Sequence, residues 1–275
     1  MHDFAEIARL IEALRPWHGD LVFVGGWAHR LYRFHPSALQ PSYQAVRTRD
    51  ADVAFSLQAR LKGDIAEALL EAGFRQALSS EHEPPISQYR LGAEDEGFYA
   101  EFLTPLPGSD TRRDGSLDAT VEKAGVTAQK LRHLDLLLVS PWTVNLGPET
   151  GVPLERTAVV RLPSAVSFIA QKLLIRSMRL PDKKAQDALY IHDTLDLFSG
   201  NLAELRAEWL EKHRPFLSGR IAAEIDLFIR EQFSVVDDVI RRAVRIPQDR
   251  SLPAERLRAV CEYGLRQIFG ERDAP

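Results

Sequence analysis

The chain has 275 residues, room for one to two domains at roughly 150 residues each, and its 45% hydrophobic and 27% charged side chains are those of a globular chain, not a disordered or fibrous one. A single cysteine, Cys261, excludes an intramolecular disulfide, and the absence of a C-x-x-C pair excludes the usual zinc ribbons. The formal net charge of −4 argues against bulk capture of nucleic acid and leaves room for a local basic face.

Apolar residues recur at three- and four-residue steps from Phe4 to Leu14 and predict an amphipathic first helix. Its interspersed charges are not those of a signal peptide, and no run approaches the roughly 18 apolar residues of a membrane span, so a cytoplasmic protein without membrane attachment is expected. Leu21–Val24 reads as a short buried strand that stops at Gly25-Gly26, after which helical spacing resumes through Trp27 to Tyr32. His35 to Arg47 carries Pro36 and Pro41 without an apolar period and reads as a loop or insertion. A strand over Ala51–Phe55 follows, then a helix over Leu61–Ala72 ended by Gly73, then strands over Phe74–Leu78, Ile86–Leu91 and Phe98–Leu103. Thr104 to Val126 is polar and turn-rich and reads as the weakest boundary of the chain. Leu134–Val139, Trp142–Leu146 and Ala158–Leu162 read as further strands, and helices are expected over 163–179, 183–199, 201–213, 216–232 and 253–269. The fold class expected is α+β, with a mixed sheet flanked by helices over residues 1–162 and a helical domain over 163–275.

Two features carry chemistry. Asp50 and Asp52 are two apart on a strand, so their carboxylates share a face and repel unless a cation neutralises them. Mg²⁺ is the hard, oxygen-seeking ion that a few carboxylates and substrate phosphates bind; the bland alternative is two surface aspartates at a strand start. Gly25 and Gly26 lie between a strand and a helix, where a backbone without Cβ lets a phosphate approach the amides, or where they make a plain tight turn. Neither G-x-x-x-x-G-K-[ST] nor G-x-G-x-x-G is present, which excludes the common P-loop and dinucleotide motifs. Glu101, between apolar neighbours, is either a third acid beside that pair or the solvent side of an alternating strand. Between Glu155 and Lys184 seven Lys/Arg stand against two acids. There Lys172, Arg176 and Arg179 share a helix face that either meets a triphosphate or an RNA backbone or is simply solvated. His192-Asp193 lacks the further ligands of HD-type phosphohydrolases, His29 is expected on a helix surface, Trp142 and Trp209 are expected to pack, and Cys261 reads as a buried small hydrophobe.

Val24-Gly25-Gly26-Trp27-Ala28, then Thr48-Arg49-Asp50-Ala51-Asp52-Val53, then Glu101-Phe102-Leu103-Thr104-Pro105-Leu106, resembles the nucleotidyltransferase fold of the DNA polymerase β superfamily. It is similar, more closely, to prokaryotic nucleotidyltransferase-fold proteins akin to the AbiEii-type toxins, whose later motifs match Val126-Thr127-Ala128-Gln129, Arg161-Leu162-Pro163-Ser164 and Lys183-Lys184-Ala185-Gln186-Asp187 in order. The resemblance covers about residues 20–200. It implies a transferase that moves a nucleoside monophosphate from an NTP to an acceptor hydroxyl, with Asp50, Asp52 and Glu101 as metal ligands for two Mg²⁺ ions, or Mn²⁺ in their place. It matches Gly25 and Gly26 to the glycines beside the triphosphate, and Lys172 and Asp187 to the helical lysine and downstream aspartate that complete the site. It also implies a tRNA 3′ end as the leading acceptor, with small molecules and protein side chains left open, and an antitoxin protein as partner. The gap from Gly26 to Asp50 exceeds that of minimal members, which makes the stretch around Pro36 to Pro41 an insertion able to reshape or cover the nucleotide pocket. The alternative class is a non-catalytic module that binds nucleotide or docks a partner.

Overall fold

A computed structural model describes residues 4–79, 86–92, 97–111, 115 and 117–270. Its strands are β1 (Leu21–Val24), β2 (Asp50–Phe55), β3 (Arg75–Ser79), β4 (Ile86–Leu91), β5 (Phe98–Pro105), β6 (Thr120–Lys123), β7 (Val126–Leu131), β8 (Trp142–Leu146) and β9 (Ala158–Leu162). The helices are α1 (Ala5–Ala13), α2 (Gly25–Leu31), α3 (Ile65–Glu71), α4 (Asp135–Leu138), α5 (Ala165–Ile175), α6 (Pro181–Leu197), α7 (Leu202–Glu208), α8 (Gly219–Gln232), α9 (Asp238–Ala243) and α10 (Ala254–Phe269). By their internal packing these fall into two units, Met1–His35 with Arg47–Pro163, and Pro36–Val46 with Ser164–Pro275. Among the described residues no helix is long and apolar enough to cross a membrane.

The first unit is built on a mixed sheet in the order β1-β2-β5-β4-β3, with β7 also on β5 and β6 on β7. β2 and β5 run parallel, as do β5 and β7, while β1 is antiparallel to β2 and β4 to β5. Strand alternation divides the sheet into two unlike faces. One face carries Phe23, Val53, Phe55, Ala100 and Phe102, all fully buried. Trp27 of α2 packs edge-on to Phe98 of this face, ring centroids 5.9 Å apart, and Tyr89 packs edge-on to Phe102. The opposite face is apolar at one end, where Val22, Val24, Ala54 and Leu103 pack with Leu134 and Leu137 beside α4. At its other end the same face carries Asp50, Asp52 and Glu101, each half-buried.

Local signals set most boundaries. Asp64 caps α3 by accepting from the Glu67 N–H at 2.9 Å, so this helix starts at Ile65, later than the spacing from Leu61 suggests. Ser164 caps α5 through the Ser167 N–H, and Pro181 opens α6 at a position whose missing N–H costs nothing. Three expectations are corrected. Leu134–Val139 is not a strand: Asp135–Leu138 is a helical turn that presents Leu136 and Leu137 to the interior, a short apolar run being equally compatible with either form. Thr104–Val126 is not a bare boundary, because β5 continues to Pro105 and β6 pairs with β7 as a hairpin of the same sheet. α9 lies where no helix was expected, capped by Asp237, whose carboxylate accepts from the Ile240 N–H at 2.8 Å.

In the second unit α6 packs against α9 and α10. Gly264 lets α10 come close, since a Cβ there would stand 2.8 Å from a Leu195 methyl. Trp209 is buried with its ring edge-on to Phe269, and Cys261 is buried, its thiol held well above the usual range by burial.

Truncating Phe102 to Ala removes a ring from the most buried sheet face and is expected to lower stability by about 3–5 kcal/mol, read by chemical denaturation. His18 donates from Nε2 to the Ile11 carbonyl at 2.8 Å, and burial depresses its pKa below 6.5 more than this bond raises it. The folded state therefore binds the proton less readily than the unfolded chain, so this contribution to stability is present above pH 6.5 and is lost as pH falls below it. His18→Gln should flatten the dependence of stability on pH in that acidic window, measured by denaturation at several pH values.

Candidate active site

The acidic end of the sheet is assembled by register. Asp52 stands opposite Val24 on β1 and opposite Glu101 on β5, and Asp50 stands two residues before it on the same face. The chain leaves β1 directly into Gly25, which has φ +63°, in the left-handed region that favours glycine. A Cβ at Gly25 would collide with the Asp52 carboxylate, so this position is glycine for two independent reasons, backbone angle and close approach. Gly26 is buried in the first turn of α2.

Neutral donors reach Asp50 and Glu101. Thr48 donates its hydroxyl to Asp50 Oδ1, and Gln88 donates from Nε2 to Glu101 Oε1 at 2.5 Å. Gln88 is itself gripped through Oε1 by Arg90, whose Nη2 and Nε lie at 2.8 and 3.2 Å. Gln88 and Arg90 escaped the sequence reading, although alternation along Ile86–Leu91 puts both on the Glu101 face once β4 is known to pair with β5. Among the described residues no group of three or more His, Cys, Asp or Glu is arranged to hold a metal ion. The donor chemistry nonetheless suits a hard cation, because the face offers only carboxylate oxygens at its acidic positions.

Lys172, Arg176 and Asp187 belong to the helical unit. Lys172 is 5% exposed, and its Nζ lies 2.7 Å from Asp187 Oδ1 and 5.3 and 5.4 Å from the ring centroids of Phe168 and Tyr190. Arg179 takes the other oxygen, Nε to Oδ2 at 3.1 Å, so one carboxylate serves two cations and positive charge is left in excess. Arg176 turns instead to Asp237 at 3.7 Å, and burial lowers its pKa against the pull of that carboxylate. The three cations therefore do not form the single helix face that their spacing suggested. α5 ends at Ile175, Arg176 lies in a 3₁₀ turn, and extended backbone at Arg179 re-aims the last of them.

His29 is fully buried, which corrects its expected place on a helix surface: both flanks of the short α2 are covered. His192 and Asp193 are also buried, with Nδ1 donating to Asp193 Oδ1 at 2.8 Å.

A family model described as nucleotidyltransferase matches residues 2–213, which takes in the whole acidic face as well as Lys172 and Asp187. The chain belongs to this nucleotidyltransferase family. It is thus an enzyme of a family of nucleotidyl transfer, whose members use a nucleoside triphosphate. Among solved structures, MenT4, a nucleotidyltransferase toxin from Mycobacterium tuberculosis H37Rv, is similar at 11% identity and a TM-score of 0.41, over 96% of this chain and 83% of its own. No curated protein matches the chain.

Gly25→Ala should leave a folded nucleotidyltransferase destabilised by about 1–2 kcal/mol, the ordinary cost of a left-handed non-glycine residue, together with displacement of Asp52. Denaturation of the variant beside the parent protein measures the first effect.

Proposed function

We propose that this nucleotidyltransferase transfers a nucleoside monophosphate from an NTP to the 3′ hydroxyl of an RNA acceptor, a tRNA 3′ end being the leading candidate, in a Mg²⁺-dependent reaction that releases pyrophosphate. The observation that carries the reading is the register of Asp50, Asp52 and Glu101 on one sheet face with Gly25 pressed against Asp52. In this reading Asp50 and Asp52 hold the metal and Glu101 is the third ligand. When bound, Mg²⁺ neutralises triphosphate charge and lowers the pKa of the acceptor hydroxyl. Gly25, without a Cβ, lets the Asp52 carboxylate lie against the backbone at the start of α2, where a triphosphate would approach. Gln88, held by Arg90, keeps Glu101 oriented until it is needed. Phosphoryl chemistry of this kind asks the protein for positioning and charge balance more than for a covalent partner.

Lys172 is proposed to steady triphosphate oxygens, and Asp187 to orient Lys172. The excess of positive charge around Asp187 supports an anionic partner there. The tRNA acceptor and an antitoxin partner rest on the sequence resemblance to toxin-like proteins, and the cationic surplus between Glu155 and Lys184 agrees with a polyanionic acceptor. A nucleotide-binding module without transfer is the second reading, favoured because Asp50 and Glu101 already accept hydrogen bonds from Thr48 and Gln88 and no group of three or more His, Cys, Asp or Glu among the described residues is arranged to hold a metal.

Incubation with each labelled NTP, Mg²⁺ or Mn²⁺ and total tRNA decides between them. Transfer of label to RNA, lost by at least about 10²-fold in Asp52→Ala with stability retained, is the expected result. A thermal shift with Mg²⁺-NTP and no label on any RNA would favour the binding module. Lys172→Met is expected to raise KM for NTP more than it lowers kcat if the lysine contacts the triphosphate in ground and transition state alike.

A further inference from the structure

The helical unit carries its cations unevenly. Residues 176–187 and 237–245 together hold seven Lys or Arg against four Asp, in a chain whose formal net charge is −4. The two stretches lie side by side, because α6 packs against α9. Arg242 of α9 reaches Asp182 in the first turn of α6 at 2.9 Å, and Arg176, in the 3₁₀ turn before α6, faces Asp237 at the cap of α9 at 3.7 Å. With Asp187 taken by Lys172 and Arg179, and Asp238 by Arg241, every acid of the two stretches is engaged.

Positive charge is left over at the surface. Lys183, Lys184 and Arg245 are exposed, and among the described residues their side chains have no hydrogen bond or ion pair. Arg241 is 57% exposed and its partner Asp238 is 89% exposed, a pairing that water screens and that holds the guanidinium only weakly. Lys183 and Lys184 stand in the first turn of α6, where the helix dipole opposes positive charge, so the helix itself gives no reason for them. Arg241 and Arg245 are four residues apart and both face water, while Ile240 and Ala243 between and beside them are buried. The Arg242–Asp182 pair joins the two groups, since Asp182 adjoins Lys183 in the chain and Arg242 adjoins Arg241. Four exposed cations therefore flank one cross-helix ion pair, all within the second unit.

We propose that this α6–α9 surface docks the phosphate backbone of an RNA, with Lys183, Lys184, Arg241 and Arg245 as the phosphate contacts. The chemistry favours a nucleic-acid backbone over an acidic protein. Lysine is depleted at protein interfaces, which are built around an apolar centre. The large apolar side chains exposed in the two stretches are Met178 and Leu180 alone, both on the turn before α6. Cations spread over two adjoining helices suit a row of backbone phosphates and read no base, so the binding is independent of sequence and weakens with salt. The docking stands on these charges, whereas the identity of the docked RNA as the acceptor rests on the nucleotidyl-transfer reading.

Fluorescence anisotropy of the full chain with labelled total tRNA, taken over a series of KCl concentrations, tests the proposal. The parent protein is expected to bind with log K falling linearly in log salt. A triple variant, Lys183→Gln with Lys184→Gln and Arg245→Gln, leaves the ion pairs between α6 and α9 intact and should keep the denaturation midpoint. It is expected to bind on the order of tenfold more weakly at low salt, with the salt slope reduced by about 2–3. Should the triple variant lose stability, Arg245→Gln alone reads the same effect as a slope reduced by about 1. Met178→Ser with Leu180→Ser should change neither affinity nor slope. Absence of binding by the parent overturns the proposal, as does a triple variant with the affinity and slope of the parent. Binding lost in the Met178 and Leu180 variant, with polyglutamate competing as well as unlabelled tRNA, marks an acidic protein as the occupant and overturns it equally. Binding with the expected slope in a protein that transfers no nucleotide upholds the docking surface and removes the transfer reading.

Discussion

Mutual repulsion among carboxylates is the constraint on which the acidic face depends. Asp50, Asp52 and Glu101 occupy neighbouring positions on one side of β2 and β5. Like charges so placed raise one another's energy unless a cation or donors intervene. The chain supplies donors from both sides, Thr48 from its own strand entry and Gln88 from β4, and leaves Asp52 against a residue without a Cβ. The rest of the sheet serves to keep these three positions in register: the apolar half of the same face is sealed by Leu134 and Leu137, and the opposite face is filled by aromatic rings. A slip of one residue in β2 would exchange Asp52 for Val53 and bury an acid among those rings, so core packing and site geometry enforce the same register.

The helical unit treats charge differently. Two carboxylates there, Asp187 and Asp193, are nearly or fully buried and each is matched to basic partners. Around Asp187 two cations share one acid, and the surplus suits an anionic ligand. Around Asp193 the partners are Arg250 and His192, and the guanidinium continues outward to a tyrosine of a distant segment. The first arrangement serves chemistry in the proposed reading, the second holds the chain. Both are costly to break because removing one member leaves a buried charge without its partner.

Much of this was legible in the chain itself. The strand into Gly25-Gly26, the Asp50 and Asp52 pair, the strand through Glu101 and the long helices after Pro163 follow from period, glycine placement and capping residues, all of which act over a few neighbours. What those signals could not decide was anything set by pairing across the chain. Leu134–Val139 is apolar enough for a strand and became a helical turn because the sheet face above it needed a lid, and β6 formed because β7 offered an edge. His29 reads as a surface residue on a helical wheel and is buried because α2 is covered on both sides.

The amino-acid sequence by itself determined which acids share a strand face, where backbone must pass without a Cβ, and which stretches are helical, since each depends on the stereochemistry of adjacent residues. Only the tertiary structure decided that Glu101 stands level with Asp52, that Gln88 and Arg90 back it, that one carboxylate serves both Lys172 and Arg179, and that the Tyr43 ring lies over the Arg250 guanidinium. Each of those joins residues distant along the chain, and the geometry that joins them comes from strand register and core packing, which no local pattern encodes.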